Sequence, residues 1–257
     1  MPKKRLIFVL LHLNGQFCIS RNFRLQKVGN ADWLKRNYNF SKVSRFIDEL
    51  VILNVESDNI DQKRFLATAS SIASEVFVPV ALGGAIRDFR DAETYFHNGA
   101  DKVVVNTLLW QNPAVVREIA NVYGEQALMA SVDYRGLEGP RTPFLRGGEG
   151  PATGAALGSW VSHVASLGVG EILINSVDRD GTGMGLDLGV FDVVPPDVNL
   201  PFVLMGGVGR TDHFQPGLEL PRVSGVATSN LFAFIGKGLS ASRAALLEAN
   251  INMASWA

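Results

Sequence analysis

The strongest chemical pattern in the chain is a cluster of polar residues that directly follows an apolar run, within residues 170–182. The run is rich in isoleucine and leucine, which favours a strand, and Asp178, Asp180, Gly181 and Thr182 come after it. In parallel α/β folds, ligands bind at the C-terminal ends of the strands. We therefore interpret these residues as part of a ligand site. The alternative is that the aspartates only cap the next helix.

Two further strand ends could bind anions. Gly83-Gly84 is followed by Asn106-Thr107, and Gly206-Gly207 is followed by Ser229-Asn230. Glycines let backbone N–H groups approach an anion closely, and Asn, Thr or Ser side chains donate the remaining hydrogen bonds. Two such sites suit a long ligand with a phosphate at each end. The alternative is that the glycines only permit tight turns after the strands.

Alternating strand and helix patterns must position these residues. Apolar runs predict strands at 6–13, 50–55, 78–82, 102–105, 128–133, 170–177, 202–205 and 223–227. Helices are predicted at 41–46, 63–73, 88–97, 113–122, 155–167, 188–194 and 240–250, and long loops at 21–36 and 136–154. Eight strands alternating with helices predict an α/β fold, a parallel (β/α)8 TIM barrel.

An internal repeat supports this fold. Gly83-Gly84 recurs as Gly206-Gly207, and Asn106-Thr107 recurs as Ser229-Asn230, in each case 123 residues further along the chain. We therefore predict a single barrel domain over residues 1–257, built from two half-barrels of approximately 1–125 and 126–257.

Composition excludes several classes of protein. The 257 residues fit one barrel, 47% of them are apolar, and the formal net charge of -1 argues against a nucleic-acid partner. Cys18 is the only cysteine, and the four histidines lack ligand spacing, so we predict no metal and no cofactor. No apolar run is long enough to span a membrane. We interpret the basic and then apolar start as the first strand of a cytoplasmic protein rather than as a signal peptide.

Six short segments carry a resemblance that covers essentially the full length of the chain. They are residues 4–7 (KRLI), 48–51 (DELV), 82–86 (LGGAI), 99–107, 168–173 (GVGEIL) and 178–182 (DRDGT). Together they are highly specific, and the chain resembles the cyclase subunit of imidazole glycerol phosphate synthase (HisF). The resemblance implies a barrel of the ribulose-phosphate-binding type with two phosphate sites. The expected phosphate-binding or substrate-binding residues are Gly84, Ala85, Asn106, Thr107, Asp180, Gly181, Gly206, Gly207, Ser229 and Asn230.

In the HisF family, a ring of one arginine, one lysine and two glutamates closes the N-terminal end of the barrel as a gate for ammonia. The matching positions here are Arg5, Glu49, Lys102 and Glu171, each at or near the beginning of a predicted strand. The resemblance thus implies a glutaminase partner docked at the N-terminal face, which feeds ammonia through the barrel. The residues alone are also compatible with a salt-bridge plug, because two positive and two negative charges balance.

The resemblance further implies two aspartates, at the ends of the first and fifth strands, as general acid and base. The second is present as Asp133, but the first position holds Leu11, which cannot transfer a proton. Ile19 and Asn54 replace an expected lysine and aspartate, and Ala85 replaces the third glycine of the first phosphate site. Because an acid or base contributes roughly 10²–10⁴-fold to a rate, full cyclase activity is not expected.

The first strand points to a subgroup. The run LLHLNG at 10–15 is similar to the first strand of HisF paralogues of surface-polysaccharide biosynthesis. That resemblance implies a glutaminase and a separate sugar amidotransferase, which together turn an acetamido sugar into an acetamidino sugar. The expected ligand is a phosphorylated or nucleotide-linked sugar. Three hypotheses stay open: an ammonia-channelling subunit with Asp133 as its proton-transfer group, a histidine-pathway cyclase, and a non-catalytic scaffold for the glutaminase.

Overall fold

Parallel strands close into a barrel around one axis. The computed structural model of the chain describes residues 2–38, 40–145 and 156–254. The barrel strands are β1 (Arg5–Leu13), β2 (Glu49–Asn54), β3 (Val80–Gly83), β4 (Lys102–Val105), β5 (Leu128–Arg135), β6 (Glu171–Ser176), β7 (Phe202–Met205) and β8 (Val223–Thr228). Each strand pairs in parallel with the next, and β8 pairs with β1, with Arg5 opposite Gly225. The predicted (β/α)8 TIM barrel is therefore confirmed.

Helices connect the strands on the outside of the barrel. They are α1 (Ala31–Asn37), α2 (Phe40–Val43), α3 (Gln62–Ala73), α4 (Phe89–His97), α5 (Leu108–Gln111), α6 (Pro113–Tyr123), α7 (Leu157–Ala165), α8 (Gln215–Leu218) and α9 (Gly238–Glu248). Short 3₁₀ helices cover Glu125–Ala127, Leu188–Asp192 and Thr211–His213. The helix expected at 188–194 is thus a 3₁₀ turn, and the one expected at 41–46 is shortened to α2. None of the described helices is long and apolar enough to cross a membrane.

The sequences of the barrel strands are continuous apolar runs because both faces of each strand are buried. In β1, Ile7 and Val9 belong to a cluster formed almost entirely by strand residues, which fills the inside of the barrel. The alternate residues Leu6 and Phe8 pack in a larger cluster that includes helix residues. This double burial is typical of parallel strands in barrels.

The predicted loop at 21–36 is wrong. Strand β1 continues beyond the barrel and turns at Asn14-Gly15 into an antiparallel hairpin of Gln16–Arg21 and Arg24–Gly29, and α1 follows. The strand Arg24–Gly29 is mostly solvent-exposed, so it lacks the alternation of apolar and polar residues that marks a half-buried strand. We call the segment 16–29 the hairpin.

The loop expected at 136–154 is partly strand. Thr142–Phe144 pairs antiparallel with the end of β5, with Phe144 opposite Asp133. Residues 146–155 of this predicted loop and of the start of the following predicted helix lie outside the described residues. The described part of that helix is α7.

A buried ion pair ties the last helix to the first two strands. Arg243 of α9 donates from Nη1 to Asp48 Oδ2 (2.9 Å) and from Nη2 to Asp48 Oδ1 (3.0 Å), and it also donates to the carbonyl of Ala254. Asp48 Oδ2 accepts a further hydrogen bond from the backbone N–H of Leu6 (2.8 Å). The pair therefore fixes the N-terminal ends of β1 and β2 against α9.

We expect Arg243→Ala to destabilise the protein by about 3–5 kcal/mol, because it leaves the buried Asp48 carboxylate without its cation. Urea unfolding at pH 7 measures the loss. Arg210→Ala is the control, since it removes an arginine from an exposed pair with Asp212, and surface pairs contribute little. Equal unfolding midpoints for the two variants would contradict the structural role of the pair.

Candidate functional site

Four charged side chains form a closed ring across the N-terminal end of the barrel axis. Arg5 donates to both Glu49 and Glu171. Lys102 Nζ lies 3.0 Å from Glu49 Oε1 and 3.3 Å from Glu171 Oε2. Each carboxylate thus contacts both cations. The two glutamates are only 1% and 6% exposed, so the pairing offsets the cost of burying their charges. We call Arg5, Glu49, Lys102 and Glu171 the charged ring.

Two members of the ring, Arg5 and Glu171, are held in their ionised states. Burial alone would raise the pKa of Glu171, but the charges of Arg5 and Lys102, together with hydrogen bonds from Ser224 and Arg5, outweigh it and lower that pKa. Burial likewise opposes the charge on Arg5, yet the two glutamates raise its pKa. The end of the axis is therefore closed by paired charges rather than by neutral groups.

Ser224 is a member of this cluster that the sequence analysis missed. Its Oγ lies 2.6 Å from Glu171 Oε1 and 3.0 Å from the carbonyl oxygen of Phe202, and Arg5 Nη2 donates to it (2.9 Å). The hydroxyl has one proton, so it donates to either acceptor at a time. Its position in β8 could have indicated this role, because Ser224 precedes Gly225, the residue that pairs with Arg5 of β1.

Above the charged ring, a cluster of apolar side chains fills the inside of the barrel. The cluster there consists of Ile7, Val9, Leu11, Cys18, Val51, Ala81, Val104, Met129, Leu173, Val203, Met205 and Ala227. Burial raises the pKa of the Cys18 thiol, which keeps it neutral. Ionised groups near the axis are therefore found at the two ends of this cluster.

Asp133 is the carboxylate at the C-terminal end of β5, and two amides hold it. Asn106 Nδ2 donates to its Oδ2 (2.7 Å) and Asn175 Nδ2 donates to its Oδ1 (2.9 Å). Burial raises the pKa of Asp133 to about 6, an effect that the two amide hydrogen bonds reduce and the charge of Asp180 strengthens. A carboxyl group that titrates near neutral pH is suited to proton transfer. Asn175 was not predicted, and Asn106, expected at a phosphate, has its amide nitrogen on Asp133.

A second acid is not found where the catalytic pair would require one. Leu11 is 6% exposed and packs in the apolar cluster inside the barrel. The neighbouring His12 is fully buried against the rings of Phe17 and Phe65, and burial lowers its pKa. Asn54 Oδ1 accepts a hydrogen bond from the backbone N–H of Glu56, within its own loop.

Six predicted residues line one cavity of about 230 Å³ at the C-terminal face, and we call them the second anion site. They are Asp180, Gly181, Gly206, Gly207, Ser229 and Asn230. The hairpin covers them and adds Ser20, Arg21 and Arg24 to the lining, which the sequence analysis missed because it predicted a loop there. Gly207 has φ +95°, and a Cβ atom there would lie 2.1 Å from the carbonyl oxygen of Gly185. The turn itself therefore requires glycine, whether or not an anion binds.

The other predicted anion site lies after β3 and β4. Gly84 has φ +84°, and a Cβ atom on it would lie 1.9 Å from the carbonyl oxygen of Asn54. Ala85 has φ +57°, which is the left-handed region that disfavours a side chain. Thr107 is the N-cap residue of α5 and makes no side-chain cap hydrogen bond. The structure thus keeps the turn of the first site even though alanine replaces the third glycine.

We expect Asp133→Asn to stabilise the protein at pH 8 by about 1–3 kcal/mol, because one pKa unit corresponds to about 1.4 kcal/mol. The folded pKa of Asp133, about 6, lies above its ordinary value of 3.8. The ionised carboxylate therefore costs stability above pH 6, and that cost disappears as the pH falls from 6 to 4. Urea unfolding at pH 8, 6 and 4 measures the difference. A difference independent of pH would contradict the raised pKa, and Asp197→Asn, an exposed site, is the control.

Ser224→Ala removes a donor to Glu171, so we expect it to raise the pKa of Glu171 and to cost about 1–3 kcal/mol at pH 7. The folded pKa of Glu171 is lowered, so the stability that this bond contributes is lost as the pH falls below the ordinary glutamate value, about 4.3. Carboxyl ¹³C NMR follows the titration. Ser224→Thr keeps the hydroxyl and should restore the behaviour of the natural protein; a Thr variant that behaves like Ala would argue against the hydrogen bond.

Comparison with known proteins agrees with this geometry. The sequence model of the family described as "Histidine biosynthesis protein" matches residues 28–234. A protein of Parasynechococcus marenigrum (strain WH8102), described as "Putative imidazole glycerol phosphate synthase subunit hisF2", is 42% identical over 257 residues, which is 100% of this chain and 95% of that protein. The chain therefore belongs to the histidine biosynthesis protein family, as a HisF-like (β/α)8 barrel.

Proposed function

We propose that this chain is the ammonia-channelling synthase subunit of a glutamine-dependent amidating complex. The charged ring carries the proposal, because it closes one end of an apolar barrel whose other end holds Asp133. An apolar interior admits neutral ammonia far more readily than ammonium, since burying an unpaired charge is costly. The description of the relative as a synthase subunit is consistent with a partner that supplies the nitrogen.

The proposed partner is a glutaminase subunit that docks at the N-terminal face, where the charged ring lies. Phe77 supports this choice, since it precedes β3 at that face and is 88% exposed. Exposed aromatic side chains are costly in water and are frequent anchors of protein interfaces. The complex is proposed to work in the cytoplasm, as one barrel domain, without a nucleic-acid or membrane partner.

The proposed acceptor is an acetamido sugar of surface-glycan biosynthesis, carried as a phosphorylated or nucleotide-linked sugar. Leu11 favours this acceptor over imidazole ring closure, because it stands where the first acid of the cyclase pair is expected. Asp133, with its pKa near 6, would take the proton that ammonia loses when it adds to the amide carbon of the acceptor. The C=O π bond opens to a tetrahedral intermediate, whose oxygen then leaves as water so that the amidine forms. A separate sugar amidotransferase is proposed to complete the reaction.

Two other functions are supported by particular observations. The family description and the relative's name favour the cyclase subunit of imidazole glycerol phosphate synthase. The replacement of the first acid by Leu11 favours a barrel without catalytic activity that only holds the glutaminase. Asp133→Asn separates the latter from the main proposal, because a scaffold would tolerate the change.

Two experiments test the proposal. In a histidine auxotroph that lacks the cyclase, we expect no rescue of growth by this chain, and rescue would establish the cyclase alternative. With the glutaminase encoded by the same organism, we expect a stable complex whose glutaminase activity depends on the barrel. Phe77→Asp should weaken that complex at least 10-fold, in calorimetry or surface plasmon resonance, because it places a charge in the interface.

Met184→Asp is the matched control for docking. Met184 is 71% exposed but lies in the loop after β6, at the opposite end of the barrel, so we expect it to leave glutaminase binding unchanged. If both variants bind equally well, the partner does not use the N-terminal face.

A further inference from the structure

Two arginines lie opposite each other at the tip of the hairpin. Arg21 and Arg24 are paired across the antiparallel turn, and both line the 230 Å³ cavity of the second anion site. Within residues 2–38, 40–145 and 156–254, neither guanidinium has a hydrogen-bond acceptor or an acidic partner. Like charges directly opposite each other on a strand pair are destabilising. The free protein therefore holds an unneutralised positive pair over a set of anion-binding groups.

The turn between these arginines has a strained backbone conformation, which hydrogen bonds to Asp180 stabilise. Asn22 and Phe23 have φ of +49° and +64°, a left-handed conformation that is unfavourable for a bulky residue such as phenylalanine. Asp180 holds it, because its Oδ2 accepts from the N–H of Phe23 (3.1 Å) and from Ser20 Oγ (2.5 Å), while its carbonyl accepts from the N–H of Asn22 (3.0 Å).

The hairpin also binds Asp180, the one carboxylate among the described residues that line the cavity. Asp180 is 3% exposed, and its side chain bonds to the hairpin rather than to a guanidinium group. The cavity therefore has two walls with different donors. The barrel wall offers backbone N–H groups around Gly206-Gly207 with the side chains of Ser229 and Asn230, and the hairpin wall offers two guanidinium groups. Guanidinium groups bind phosphate oxygens in a fork geometry.

We propose that this cavity binds a diphosphate group, with one phosphoryl group on the barrel wall and the next between Arg21 and Arg24. The inference rests on the proposed anion site and specifies its ligand as a diphosphate ester rather than a phosphate monoester. The cavity of about 230 Å³ is lined by residues of both walls, so a ligand with two linked phosphoryl groups can contact the donors of both.

Calorimetric titration of the full chain with inorganic phosphate and inorganic pyrophosphate tests the proposal, at matched ionic strength and with EDTA present. We expect pyrophosphate to bind at least 10-fold more tightly than phosphate. The double variant Arg21→Gln/Arg24→Gln should lower the affinity for pyrophosphate to that for phosphate, while the affinity for phosphate changes less than threefold. Arg117→Gln, which removes an exposed arginine of α6, should leave both affinities unchanged.

The outcomes separate this inference from the proposal on which it rests. Equal affinity for the two anions in the natural protein overturns the diphosphate assignment but leaves the anion site. An equal loss of affinity for both anions in the double variant also overturns the diphosphate assignment, because both walls would then bind one and the same phosphoryl group. Binding of neither anion overturns the site as well. The glutamine double variant removes like-charge repulsion, so its melting temperature should not fall. The variant Arg21→Lys/Arg24→Lys keeps the charges but loses the fork geometry of the guanidinium groups, so it should bind pyrophosphate with intermediate affinity.

Discussion

The closure of the barrel between β8 and β1 is the constraint on which the rest of the structure depends. The pairing of Arg5 with Gly225 and of Ile7 with Glu49 sets the level at which each strand begins. Through that register, charged residues far apart in the chain meet at one end of the axis. If the strands slipped by one residue, the side chains of the charged ring would face the helix layer. The buried pair of Asp48 and Arg243 reinforces the same end of the barrel.

Charge is distributed in a way that gives the barrel two chemically different ends. The charged ring pairs two cationic with two acidic side chains, and a cluster of apolar side chains separates it from Asp133. At the far end a carboxylate is held by two amides, and its pKa of about 6 results mainly from burial. The same physical quantity, the cost of burying a charge, is offset at one end by counter-ions and left partly uncompensated at the other. This difference separates a cluster of paired charges from a group suited to proton transfer.

The C-terminal face is less symmetric than the internal repeat implies. Both glycine-rich turns are preserved, and in both an added Cβ atom would collide with a backbone carbonyl. However, only the second turn lies beneath the hairpin, which contributes two arginines to its cavity. The first turn instead neighbours Asn106, whose amide nitrogen bonds Asp133. The two glycine turns thus lie in different environments, because the hairpin after β1 covers one of them.

The sequence by itself determined the order of strands and helices and the glycine turns, and its resemblance to the HisF family indicated the four charged positions at the strand beginnings. These are local features, since apolar runs, glycines and strand starts can be recognised within a few residues. Tertiary structure decided what those residues touch. Ser224 meets Glu171 across 53 residues, Asn175 meets Asp133 across 42, and Asp180 holds Ser20 across 160. The hairpin escaped prediction for the same reason: its exposed strand has no apolar pattern, and pairing with β1 and contact with Asp180 stabilise it. Such contacts depend on barrel closure, which no local pattern encodes.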